Sequence, residues 1–120
     1  MKLVPDLRLE ILEKVGIYSN RFSIAEPKVL FTPKEVLQEP KELTEGRRTT
    51  AYKYFGISYM QSNLIFINVK KILDEKTLDN TIVHELIHMR FPYQSHGKRF
   101  NKLVRQGLRG KTFVPYQKRK

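Results

Sequence analysis

The sequence predicts a small α+β domain, an antiparallel sheet of about three strands packed on one central helix and two further helices. Three observations carry this. Apolar residues recur at three- and four-residue spacing over 6–20, 78–90 and 96–108, the period of a helix with a buried face. Residues 28–31, 47–57 and 64–69 are rich in β-branched and aromatic types and are bounded by proline, glycine or polar turn residues. A chain of 120 residues with 40% hydrophobic content suits one modest core, so 1–120 reads as a single domain.

Pro5 and Asp6 open the first helix, 6–20, with Leu7, Ile11, Leu12, Val15 and Tyr18 along its apolar side. Phe22 and Ile24 lead into an extended piece. Lys28 to Phe31, between Pro27 and Pro33, reads as a short edge strand. Residues 33–46 read as a loop with one helical turn at 33–37, and a loop of that length is either a wall of a substrate cleft or a mobile insertion. Arg47 to Ile57 reads as a strand carrying Tyr52, Tyr54 and Phe55, with a bend at Gly56. Gln61, Ser62 and Asn63 turn the chain into the strongest strand signal, Leu64 to Val69, and the two strands form a hairpin.

A helical turn over 70–75 precedes the central helix, 78–90, which Thr77 or Asp79 caps and Pro92 stops. Ser95 caps a last helix, 96–108, that turns Phe100, Leu103, Val104 and Leu108 inward and ends at Gly107 and Gly110. Beyond it, residues 110–120 read as a basic tail.

Composition narrows the function. The chain has no cysteine, which excludes disulfides, cysteine–zinc ribbons and thiol chemistry and leaves histidine and carboxylate as metal ligands. No stretch is apolar enough to span a bilayer, and the N-terminal residues are too charged for a signal peptide. The expected location is therefore the cytoplasm. Abundant Lys and Glu without Cys leans toward a thermophilic source.

The net charge of +11 is lopsided. Residues 1–85 hold 13 Lys/Arg and 12 Asp/Glu, whereas residues 86–120 hold 10 Lys/Arg and no acid. Such asymmetry points to a polyanionic partner, nucleic acid before an acidic membrane surface, or else to a solvated basic face. Lys98, Arg99, Lys102, Arg105 and Arg109 fall on the outer side of the last helix and are the candidate nucleic-acid contacts.

All three histidines lie within thirteen residues, His84-Glu85-Leu86-Ile87-His88 followed by His96-Gly97. On a helix, positions four apart share a face, so His84 and His88 can meet one metal ion. A catalytic zinc takes three protein ligands and keeps one position open. No acidic residue follows Glu85, which leaves His96 as the downstream third ligand. One Zn2+ per chain is expected, with Glu85 as the general base toward its water. The reaction class is metal-assisted hydrolysis of a protein or peptide, and the expected architecture is zincin-like, with a strand beside the cleft that binds extended peptide. Tyr52, Tyr54, Tyr93 and Tyr116 are unranked candidates to stabilise the oxyanion.

Ile65-Phe66-Ile67-Asn68, Thr81-Ile82-Val83-His84-Glu85-Leu86-Ile87-His88 and His96-Gly97-Lys98-Arg99-Phe100 together resemble the SprT-like zinc metalloproteases, the group that includes Spartan. The resemblance covers about residues 47–108. It implies zinc at His84, His88 and His96, a catalytic Glu85, and proteolysis of proteins bound or crosslinked to DNA, with single-stranded or damaged DNA as partner. Many relatives add a zinc ribbon or a separate DNA-binding region, and without cysteines this chain must reach DNA through its own basic surface. Three other readings stand beside this one: a compact zincin peptidase with no nucleic-acid role, held latent by its own terminal segment; a non-catalytic basic module with a structural zinc; and a metal-dependent ribonuclease.

Overall fold

The structure is a computed structural model that describes residues 4–45 and 51–115. The start of the strand expected from Arg47 lies outside these residues, as does the end of the basic tail with Tyr116. The first helix, α1, runs Pro5–Phe22. Pro5 sits in its first turn, where a missing N–H costs nothing, and Asp6 faces the positive end of the helix dipole. Leu7, Ile11, Val15, Ser19 and Phe22 turn inward. Ser23 ends the helix in the left-handed conformation (φ 57°, ψ 47°).

β1 (Lys28–Leu30) is followed by α2 (Pro33–Gln38), β2 (Gly56–Tyr59), β3 (Leu64–Ile67), α3 (Glu75–Arg90) and α4 (Lys98–Leu108). The sheet order is β1-β3-β2. β2 and β3 form the expected hairpin, with Ile57 opposite Phe66 and Ser58 opposite Ile65. β1, however, runs parallel to β3, Val29 opposite Ile65. The sheet is therefore mixed, where an antiparallel one was expected. The reason is the connection: residues 31–63 are long enough for a crossover, and only a two-strand hairpin forces antiparallel pairing.

β3 is central and buried at all four positions, which explains its unbroken apolar run. Its side chains alternate between two cores. Ile65 and Ile67 join α1, α3 and α4, while Leu64 and Phe66 join Val36 of α2, Ala51, Ile57 and Tyr59. Four α-helices are described, one more than expected, because the turn foreseen at 33–37 is a capped helix: Thr32 Oγ1 accepts the Glu35 N–H at 3.2 Å.

Other boundaries shift as well. Among the described residues of the strand expected over 47–57, only Gly56 and Ile57 belong to β2, because Ala51–Lys53 forms a 3₁₀ turn. The helical turn expected over 70–75 is instead a hydrogen-bonded turn at 69–71, with the Lys71 and Ile72 N–H groups on the Asn68 and Val69 carbonyls. Asp74 caps α3, its Oδ1 accepting the Thr77 N–H at 2.7 Å, so α3 starts three residues before Leu78 and neither Thr77 nor Asp79 is the cap. Asp79 is instead paired with Lys14 of α1 at 2.7 Å. Burial opposes the Lys14 ammonium, but its pairing with Asp79 and Glu75 outweighs that and leaves its pKa raised. Gly97, not Ser95, precedes α4. Gly107 lies inside α4 against α1 and α3, where a Cβ would come within 2.8 Å of Phe22 Cζ and 3.1 Å of Val83 Cγ1; Leu108 is the exposed neighbour.

Past α4 the chain returns across the core. Phe113 packs on Phe22 and Phe91, its N–H donates to the Arg21 carbonyl, and Arg90 Nε donates to the Val114 carbonyl at 2.6 Å. No helix among the described residues is long and apolar enough to cross a membrane.

Candidate metal centre

α3 is gripped on several sides: Leu78, Ile82, Val83, Leu86 and Ile87 are all buried. What remains of its circumference carries His84 and His88, half-buried and four residues apart. The chain stops at Phe91, turns with the Gln94 N–H on the Phe91 carbonyl, and brings His96 back over the two rings. His96 Nε2 lies 3.3 Å from His84 Nε2 and 2.9 Å from His88 Nε2. Ligand atoms of all three residues lie within 4.8 Å of one another.

Those distances test whether a metal fits. Nitrogens at the usual zinc distance and tetrahedral angle stand about 3.3 Å apart. One measured separation matches that spacing and the other is slightly shorter, so the three histidines lie close enough to hold a metal ion. The protonation state suits a ligand too. Desolvation, with the neighbouring His96 second, pulls the His84 pKa below the usual imidazole value and keeps a lone pair free near neutral pH.

Two residues after His96 explain its placement. Gly97 has φ 158° and ψ −165°, a region open essentially to glycine alone, so a side chain there would disturb the approach of His96. Phe100 is fully buried on the first turn of α4, and its ring centroid lies 4.8, 4.4 and 5.0 Å from those of His84, His88 and His96. It forms a common floor for the three imidazoles. Sequence periodicity placed Phe100 in the core but not beneath the triad.

Comparison with protein-family models, with curated proteins and with solved structures finds no match. What the site can do therefore follows from its own geometry.

Glu85 is only 6% exposed yet lines the same cleft as the triad. Its Oε1 accepts the Ser58 hydroxyl of β2 at 2.8 Å, and the same hydroxyl lies 2.8 Å from the Glu85 carbonyl. Gly56 makes room: a Cβ there would stand 3.0 Å from Glu85 Oε2 and from the Phe66 carbonyl. Ser58 and Gly56 are the functional positions that sequence reading missed. The one available signal was a glycine inside a strand, which marks a close approach by another group.

The cleft holds about 380 Å³, with Tyr54, Met60 and β2 on one side and Glu85 and the three histidines on the other. A second recess of about 640 Å³ shares Tyr54, Gly56, His84 and Glu85 and runs along the first turns of α3. Of the expected tyrosines, Tyr54 lines both recesses, Tyr52 and Tyr93 line neither, and Tyr116 lies outside the described residues. Lys98, Arg99, Lys102, Arg105 and Arg109 are exposed along α4, and none forms an ion pair among the described residues. They do not line the cleft.

Proposed function

We propose that this chain is a zinc-dependent metallopeptidase acting on DNA-bound or DNA-crosslinked proteins, as the SprT-like proteases it resembles in sequence are expected to do. One observation carries the hydrolase reading: a buried carboxylate, held by Ser58, lies in the same cleft as three converging imidazoles. A structural metal site has no use for such a carboxylate, which argues against the non-catalytic alternative.

His84, His88 and His96 would hold the zinc. Bound there, it supplies Lewis acidity and a nucleophile at neutral pH. Glu85 takes the proton from the attacking water onto its carboxylate and returns it to the leaving amine. Ser58 keeps the carboxylate from rotating away. Tyr54, which lines the cleft, would donate to the oxyanion. Among the described residues β2 is an edge strand, paired with β3 on one side only, so an extended peptide could add to its open side and lie across Glu85. The cations of α4 would neutralise phosphates.

The test is zinc content and cleavage of casein or histone, with and without single-stranded DNA. Glu85→Gln keeps one zinc per chain and lowers cleavage by about 10²- to 10⁴-fold, the span of general-base catalysis. Unchanged cleavage in that variant refutes the hydrolase reading. Cleavage indifferent to DNA leaves a peptidase and removes the DNA half.

A further inference from the structure

Tyr52 and Phe55 stand in solvent just before β2, their residues 60% and 50% exposed. The backbone that carries them is nonetheless fixed. Asn68, 1% exposed, donates its side-chain amide to the Tyr54 carbonyl at 2.9 Å and its backbone N–H to the Phe55 carbonyl at 2.8 Å. The Tyr54 N–H returns to the Ala51 carbonyl, and Lys71 Nζ donates to the Lys53 carbonyl at 3.0 Å. A buried amide thus fixes the backbone between buried Ala51 and β2, and that backbone carries the exposed rings.

Each ring has a cation over one face, which leaves the other face for a base. Lys53 Nζ lies 6.0 Å from the Tyr52 centroid and Lys71 Nζ 5.6 Å from the Phe55 centroid. Lys76 lines the recess that Phe55 borders. None of these three lysines forms an ion pair among the described residues.

Exposed aromatic rings beside ammonium groups that have no acidic partner match unpaired bases on a phosphate backbone. A duplex keeps its bases in the stack and could use only the lysines. An acidic peptide would likewise engage the charges and leave the flat rings unused. We propose that residues 52–55, with Lys71, form a stacking platform for single-stranded nucleic acid on the rim of the catalytic cleft. The proposal rests on the DNA half of the function above and assigns base contacts to this rim, leaving α4 to phosphates.

The experiment measures binding of a dye-labelled oligothymidine, and of a duplex of equal length, to the zinc-loaded full chain by anisotropy across a salt series. Tyr52→Ala and Phe55→Ala each weaken single-strand binding about fivefold or more, leave its salt slope unchanged, and spare duplex binding. Tyr52→Phe restores affinity. Lys53→Ala reduces the slope by about 0.7 if it meets one phosphate. Thermal melting confirms that these surface variants are folded.

Single-strand affinity unchanged in both aromatic variants overturns the platform. Equal loss for single strand and duplex does the same, as does a raised KM for a DNA-free peptide with oligonucleotide affinity intact, which would make the segment a peptide subsite. The two proposals fail separately. Binding lost only in Lys98→Ala/Lys102→Ala keeps the DNA function and discards the platform. Wild-type protein that binds no oligonucleotide discards both, while peptide cleavage through Glu85 stands.

Discussion

Ser58→Ala removes one hydroxyl and leaves every metal ligand in place. That hydroxyl is 2.8 Å from Glu85 Oε1, and both residues are buried, at 8% and 6% exposure. A buried hydrogen bond to a charged acceptor contributes about 1.5–3 kcal/mol. If the bond fixes the carboxylate for proton transfer, kcat/KM falls by about ten- to a hundredfold. Zinc content stays at one per chain. Ser58→Thr keeps the hydroxyl and recovers most of the rate. The assay is kcat/KM on a fluorogenic peptide from pH 5 to 9, with zinc measured on the same samples. The hydroxyl has a second acceptor, the Glu85 carbonyl, also at 2.8 Å. Should its proton go there, Ser58→Ala lowers the melting temperature and leaves the rate unmoved. That result refutes the positioning role.

Other perturbations test the framework around the site. Gly97→Ala meets no atom within 4 Å, so its cost is backbone strain alone, about 1–3 kcal/mol, and it appears as faster zinc loss to a chelator because His96 is displaced. Gly107→Ala forces a methyl against Phe22 and Val83 and destabilises by about 1–3 kcal/mol in chemical denaturation, with zinc affinity per folded molecule unchanged. Asp74→Ala removes the α3 cap. The Asp74 pKa is held below its usual 3.8 by the Thr77 N–H first and its hydroxyl second, so the cap's contribution is complete above that value and is lost as pH falls through the lower folded pKa. The melting-temperature gap between wild type and Asp74→Ala should therefore be constant near neutrality and close below pH 3.8.

The sequence was most legible where the physics is local. His84 and His88 are one helical turn apart, and the break at Pro92 leaves few places for His96 to go. The inward faces of α1, α3 and α4 follow the same periodicity. Legibility failed where a partner comes from a distant stretch. Nothing in Ser58 itself announces a carboxylate 27 positions on, because the contact exists only after β2 has packed on α3. The parallel placement of β1 likewise depends on how residues 31–63 cross the sheet, not on Lys28 to Leu30. The aromatic run at 52–55 misled for another reason: rings favour strands through packing, and these rings are not packed. At α3, Thr77 and Asp79 are both capping types, yet Thr77 is the residue being capped, because Asp74 sits three places earlier.

The two halves of the centre close over different chain lengths. His84 and His96 are 12 residues apart and need only α3, the turn and the start of α4. Glu85 is held by a strand 27 residues upstream, which must first pair with β3. Short loops close at lower entropic cost, so the metal-binding half can assemble before the sheet is complete. Zinc uptake during refolding should then run ahead of enzymatic activity. The delay between the two would time the docking of β2 against α3. A chain that has taken up its metal is, by that ordering, not yet a working one.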